Sequence, residues 1–253
     1  MSYEDDDDFL EPLIVTDSAD LTVYSGVAVV PVVGVLTYAD SVQIAQQVAH
    51  VRRHSKARGL LLVVDSPGGD VRGVSTIVDE IHRTRRLLGD SFVAAHGLEI
   101  VASGGYWIAS AAGRLTVGRS AEVGSIGVVA VLIDASERYA QSGLSVRVVR
   151  SGADKALAQD GEAVDARALD AVQQRVDAVH QLFVDDVARG RGVDRATADA
   201  WATGALWSAA EAVDRGLVDG VGDLDAALRP LMCRIASKAY DARHDHILQR
   251  ICS

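Results

Sequence analysis

Two residues in this chain have types and settings that could combine in one reaction. Ser103 lies in Ala102-Ser103-Gly104-Gly105-Tyr106-Trp107-Ile108-Ala109, where it opens an apolar, small-residue helical pattern directly after a turn. Lys155 follows in Ser151-Gly152-Ala153-Asp154-Lys155. The chain has 25 basic residues, and all but Lys56, Lys155 and Lys238 are arginines. Arginine keeps its proton in proteins, whereas a buried lysine can lose it. A serine nucleophile with a neutral lysine base is one route to acyl transfer. Each residue alone also has a plainer explanation: a helix-capping serine, and a surface lysine left over in an arginine-rich chain.

Two further segments carry groups that such chemistry needs. Asp65-Ser66-Pro67-Gly68-Gly69 ends a short apolar strand and precedes a helix. Glycines there let backbone N–H groups approach a ligand closely and form an oxyanion hole. Taken alone, the segment also reads as an ordinary βα turn. Gly124-Ser125-Ile126-Gly127-Val128 places a serine between glycine and a strand pattern. That serine reads either as a turn residue or as a hydroxyl that orients a neutral lysine. The N–H of Gly104 is a natural second oxyanion donor. A helix starting at Ser103 also favours negative charge developing near it.

The elements that must position these groups follow from periodicity. Strands are expected over 26–37, 60–64, 91–95, 115–117, 126–133 and 145–149. Helices are expected over 40–56, with Asp40 or Ser41 as N-cap, and over 71–88 and 135–142, while 100–112 holds the serine and a helix. After a polar loop at 160–165, a long helix is expected over 166–189, then shorter ones near 195–201, 208–215 and 224–231, with a strand or turn at 216–219. Alternating strands and helices imply βαβ units in an α/β fold, with a mainly helical C-terminal part.

Composition narrows the function. Aromatic residues make up only 5% of the chain against 49% hydrophobic, so the core must come from Val, Ala, Leu and Ile. A net charge of −10 argues against a nucleic-acid or anionic-membrane surface. The Arg83, Arg85 and Arg86 cluster reads as a solvated helix face. Cys233 and Cys252 have neither disulfide-framework nor metal spacing, and His244 and His246 sit in a polar tail, so no metal is expected. The start, with its run Asp5 to Asp8, has neither the basic nor the apolar part of a secretory signal. No membrane anchor is expected. The chain divides into a flexible acidic arm (1–25), a catalytic domain (26–231) and a C-terminal tail (232–253).

In order, Asp65-Ser66-Pro67-Gly68-Gly69, Ala102-Ser103-Gly104-Gly105-Tyr106, Gly124-Ser125-Ile126-Gly127-Val128 and Ser151-Gly152-Ala153-Asp154-Lys155 resemble the signal peptide peptidase A family of serine-lysine peptidases. The phage minor capsid protein C or prohead proteases are soluble relatives within it. The resemblance runs from about Val27 to Leu228. It includes Val187-Ala188-Arg189-Gly190-Arg191 and the stretch from Ala209 to Asp219.

The resemblance implies a Clp-protease or crotonase-like α/β superfold, with Ser103 as nucleophile, Lys155 as general base and Ser125 holding the amine. Gly68 and Gly104 would supply the oxyanion N–H groups, with Gly69 as a neighbouring candidate. No cofactor is implied. For a lysine to act near neutral pH, burial must bring its ammonium from about 10.4 toward roughly 7–8. The implied substrate is a peptide or protein: capsid or scaffold protein in a prohead, or membrane-derived peptides in a bacterial cytoplasm. Half-length members of the family form rings in which the serine of one subunit meets the lysine of the next, so a homo-oligomer is expected. Apolar positions Leu169, Val172, Val176, Val179, Leu182, Phe183 and Val187 on the long helix suit either a subunit contact or packing on the chain's own sheet. Two other readings remain: a crotonase-like acyl-CoA hydratase or isomerase using the same glycine-rich loop, and a non-catalytic capsid component.

Overall fold

In a computed structural model the chain is described at residues 15–16, 22–53 and 56–251, with side chains described over 22–53 and 56–238. It forms two compact units, one of residues 1–126 with 183–253 and one of residues 127–182. Most of the expected acidic arm, and the side chains of His244, His246 and Cys252, lie outside the described residues.

The first unit is built on a mixed sheet. Its strands are β1 (Val15–Thr16), β2 (Thr22–Tyr24), β3 (Val27–Leu36), β4 (Gly59–Gly69), β5 (Val93–Ala102), β6 (Arg114–Val117), β7 (Glu122–Gly124), β8 (Leu206–Ser208) and β9 (Gly220–Val221). The order is β1-β2-β3-β4-β5-β6-β9, and β7 pairs with both β5 and β8. The pairs β3–β4, β4–β5, β5–β6, β5–β7 and β6–β9 are parallel. Helix α1 (Tyr38–Arg53) connects β3 to β4, and α2 (Val74–Leu88) connects β4 to β5. This is the expected βαβ arrangement.

The sequence explains these elements. Leu60, Leu61, Leu62 and Val64 of β4 are all buried, as a parallel strand covered on both faces requires. Pro31 lies beyond the stretch of β3 that β2 pairs with, which is Val27, Ala28 and Val29 among the described residues, a position that tolerates proline. Helix α1 begins two residues earlier than expected, at Tyr38. Asp40 Oδ2 accepts from both the N–H and the hydroxyl of Thr37, and Thr37 Oγ1 accepts from the N–H of Asp40. Thr37 is therefore the cap, and Asp40 is its reciprocal partner.

After β5 come α3 (Gly104–Ser110), then, beyond residue 182, the end of a long helix, α6 (Arg195–Trp201), α7 (Ala209–Asp214) and α8 (Leu224–Ile251). Helix α8 extends far past the expected end at 231 and runs through the stretch read as a tail. Its Ala227 and Leu231 pack with Val27, Leu61 and Ala94 of the sheet, and Leu228, Met232 and Ile235 lie against that cluster. The apolar pattern thus continues to at least Ile235. Arg85 is not part of a solvated face. It is largely buried, pairs with Asp90, and donates to the carbonyls of Ala111 and Gly190.

The second unit contains α4 (Ser136–Gln141) and the first part of α5 (Ala166–Arg191). The segments 126–133 and 145–149 are not strands, which corrects the expectation from their β-branched residues. A strand needs a hydrogen-bonded partner, and none pairs with them among the described residues. Val129, Val131, Ile133 and Val149 instead stand 84, 79, 79 and 98% exposed. Polar contacts organise the unit. Arg150 binds both oxygens of Glu162 at 2.6 and 2.8 Å, Tyr139 donates to Asp160 at 2.6 Å, and Asp134 accepts from Ser136 and from the N–H of Val164.

One buried group makes the fold sensitive to acid. His82 on α2 is buried, and its Nε2 has no hydrogen-bond partner. Burial first, then the charges of Arg189, Arg85 and Arg86 against the opposing Asp79, pushes it down to about 4. The native state therefore holds this imidazole neutral, while the unfolded chain protonates it near pH 6.5. Its contribution is full above about pH 6.5 and is lost as pH falls toward about 4. His82→Gln should therefore lose less stability than the parent protein between pH 7 and pH 4.5. Denaturant midpoints at the two pH values measure the difference.

Candidate active site

Ser103 sits between the end of β5 and the start of α3, with φ 51° and ψ −123°. A non-glycine residue at positive φ is strained, by about 1–3 kcal/mol. Neighbouring structure holds it there. The N–H of Ser103 donates to the carbonyl of Gly124 at 2.9 Å, and its carbonyl accepts from Trp107 at 2.9 Å. Its hydroxyl makes no capping hydrogen bond to α3, so the plain N-cap explanation does not hold. The side chain is half-buried.

Helix α3 is anchored from below. Tyr106, Trp107, Ile108 and Ala109 are buried. The Trp107 ring stacks on Phe183 with centroids 4.5 Å apart, and its Nε1 donates to Asp186 at 2.9 Å. Burial pushes the Asp186 carboxyl up, against the Trp107 bond and the Arg189 charge. Tyr106 donates to the carbonyl of Leu217 at 2.9 Å, and burial drives its hydroxyl pKa far up. Leu217, in the 209–219 stretch that carried part of the resemblance, and Phe183 and Asp186, just before the 187–191 part, thus hold the helix behind the serine.

The Asp65-Ser66-Pro67-Gly68-Gly69 segment is not a separate turn but the end of β4, which pairs with β3 as far as Leu36↔Gly69. Both of its neighbouring ladders shift register here, between Val33 and Val35 on β3 and between Val64 and Ser66 against β5. Asp65 Oδ1 accepts from the N–H groups of Ile100 and Glu99 at 3.0 and 3.3 Å, which ties it to the irregular stretch of β5. Gly68, at φ 92°, lies directly against the serine. A Cβ placed on it would stand 2.7 Å from Gly104 N, 2.7 Å from Ser103 Cβ and 3.0 Å from Ser103 Oγ.

The glycine N–H groups divide between two edges. Gly68 N donates to Ser66 Oγ at 3.1 Å. Asp70 N donates to the Leu36 carbonyl at 2.8 Å, toward β3. Successive N–H groups of a strand face opposite edges, so that of Gly69 faces away from β3. Its nitrogen lies 3.9 Å from where a Cβ of Gly104 would be. Gly104 is the first residue of α3, and such an N–H has no partner within its own helix.

Just beyond, Asp70 chelates the Arg72 guanidinium, which also lies 5.4 Å from the centre of the Tyr38 ring. The bond from Arg72 lowers the Asp70 carboxyl to about 2. Nothing in the residue pattern marks this pair except its closeness to Gly68 and Gly69.

Ser125 follows β7 at φ 50°, and its N–H donates to the carbonyl of Ala205 at 2.7 Å. Ser103, Gly68, Gly69 and Gly104 thus meet, and the Gly124 carbonyl ties Ser103 to the residue before Ser125. Lys155 belongs to the second unit, in a run of turns over 153–158. It is exposed, its N–H donates to the Gly152 carbonyl at 3.0 Å, and Asp154 beside it pairs with Arg167. Among the described residues, no group of three or more His, Cys, Asp or Glu could hold a metal, and no helix is long and apolar enough to cross a membrane.

A hydroxyl on a strained strand-to-helix turn, with glycine backbone packed against it, is the arrangement of a serine hydrolase. Residues 92–236 match Peptidase family S49, and the chain belongs to this family. It is 31% identical over 212 residues to the head-tail preconnector protein GP5 of Enterobacteria phage P21, covering 78% of this chain and 41% of that protein. It is 28% identical to the chloroplastic serine protease SPPA of Arabidopsis thaliana, covering 74% of this chain and 27% of the relative. Identity to the capsid assembly protease C of Escherichia phage lambda is 32%, over 64% and 36% of the two chains. The chain thus spans less than half the length of each of these relatives. Family membership favours the peptidase reading over the acyl-CoA hydratase one.

The closeness of Gly68 to the serine can be tested directly. Gly68→Ala should lower kcat/KM by about 100-fold or more, the scale of a disturbed oxyanion site. Its folding cost should be about 1–3 kcal/mol, from a side chain at positive φ. Peptidase assays and denaturant melts on the same preparation measure both.

Proposed function

We propose that this protein is a serine endopeptidase with a Clp-protease or crotonase-like superfold. Ser103 is its nucleophile and Lys155 its general base, and the catalytic domain lies within 26–231. The observation that carries this reading is the Ser103 turn. The hydroxyl makes no capping bond, and the backbone of Gly68 can approach only because it has no Cβ.

Neutral Lys155 takes the Ser103 proton, and Ser103 Oγ attacks the substrate carbonyl carbon. The tetrahedral oxyanion accepts from the N–H groups of Gly69 and Gly104. Gly69 takes the place first expected for Gly68, because the Gly68 N–H is engaged by Ser66. Collapse expels the leaving amine, which receives the proton from Lys155, and the neutral lysine then takes a proton from the water that resolves the acyl-enzyme. Ser125 orients the amine.

The working form is a homo-oligomer in which Lys155 serves the Ser103 of a neighbouring subunit. Two observations support this. Lys155 is exposed on the single chain, while the chemistry needs a desolvated amine. The second unit also carries an apolar groove lined by Val128, Leu132, Leu169, Val172 and Val176, beside the exposed Val129. Exposed apolar surface of this kind marks an interaction site. The substrate is a polypeptide, and the resemblance to two phage assembly proteins favours a capsid or scaffold protein inside a prohead or its host cell.

Ser103→Ala should lose about a thousandfold or more in kcat while keeping its fold. Lys155→Arg should be as inactive as Lys155→Ala, because guanidinium stays protonated. Mixing Ser103→Ala with Lys155→Ala subunits should restore part of the activity after subunit exchange. Recovery that fails despite demonstrated exchange places the dyad within one chain, and turnover by folded Ser103→Ala removes the mechanism.

A further inference from the structure

Ser66 is fully buried, and the mechanism above gives it no role in the chemistry. Its hydroxyl donates to the carbonyl of Gly34 at 2.6 Å and accepts from the N–H of Gly68 at 3.1 Å. A serine hydroxyl has one proton to donate, and here it goes to Gly34. The lone pairs then face the Gly68 N–H, so the direction of both bonds is fixed.

The two backbones it joins are the irregular ones. Gly34 has φ 78° and sits where β3 shifts register against β4. Gly68 has φ 92° and lies against the nucleophile. Glycines at positive φ have many competing conformations, so something must select one. Ser66 also meets the nucleophile helix through its main chain, since a Cβ on Gly105 would stand 2.8 Å from its carbonyl oxygen and 3.1 Å from its Cβ. Strand β3, the glycine pair and α3 therefore converge on this residue.

We infer that Ser66 is a positioning residue for the oxyanion site. By holding the Gly68 N–H toward itself, it fixes the peptide plane before Gly68 and aims the next N–H, that of Gly69, at the carbonyl attacked by Ser103. Ser66→Ala leaves the Gly68 N–H without its acceptor and the glycine pair free to rotate. Ground-state binding of the peptide then changes little, while stabilisation of the developing oxyanion is lost. The inference rests on Ser103 being the nucleophile.

The test measures steady-state kinetics, Ser103 acylation by a serine-directed probe, and affinity for a peptide aldehyde, whose adduct places an oxyanion in the same position. For Ser66→Ala, kcat should fall about 10- to 100-fold with KM changed less than about threefold. Acylation should slow and aldehyde affinity weaken by a similar factor, while affinity for a cleaved peptide product stays constant. Ser66→Cys keeps a weak donor and acceptor at nearly the same volume. It should fall between the parent and the alanine variant, and it carries the test if the alanine variant folds poorly. Parent-like kcat and aldehyde affinity in either folded variant overturn the inference, as does a loss confined to KM. Failure of the probe to label Ser103 in the parent protein overturns the peptidase reading instead, so the two failures are distinguishable.

Discussion

The site depends on one close approach: the Cα of Gly68 against Ser103. A side chain there would come within 2.7 Å of both Ser103 Cβ and Gly104 N. Removing that side chain brings the end of β4 and the start of α3 together, so that two sets of backbone N–H groups can converge beside one hydroxyl. The same logic repeats outward. Gly69 would clash with the Leu36 carbonyl, Gly105 with that of Ser66, and Gly124 with that of Ala205 if any of them carried a Cβ. The glycines mark main-chain contacts, and those contacts set the geometry around Ser103.

The strain at Ser103 must be balanced elsewhere. Its positive φ is held from one side by the bond to Gly124 and from the other by α3, which Trp107, Phe183 and Asp186 lock in place. A well-packed aromatic stack with a buried hydrogen bond is a rigid support for a strained turn. Phe183, Asp186 and Leu217 of the C-terminal part therefore support α3 through packing and hydrogen bonds.

Much of this was legible in the sequence because it depends on local pattern. Apolar runs gave β3, β6 and the starts of β4 and β5, 3.6-residue periodicity gave α1, α2 and α5, and the ordered serine and glycine motifs picked out Ser103, Gly68, Gly69 and Gly104, which meet where β4 approaches α3. What was missed depends on partners distant in the chain. The β-branched runs at 126–133 and 145–149 have strand-like composition but no pairing strand, and composition does not reveal a missing neighbour. Helix α8 was cut short because its later residues look polar, although Ile235 still packs toward the sheet. The bond from the Gly68 N–H to Ser66 Oγ is likewise invisible in a run of residue types. Lys155 was legible only as a scarce residue in a motif, since its setting depends on what covers it.

The central claim is that Ser103 is a nucleophile activated by Lys155. The most direct measurement is mass mapping of the adduct left by a serine-directed acylating probe on the parent protein and on Lys155→Arg. The account predicts a single adduct on Ser103 in the parent and little or none in Lys155→Arg. An adduct on another serine, or equal labelling of Ser103 in both proteins, would contradict it.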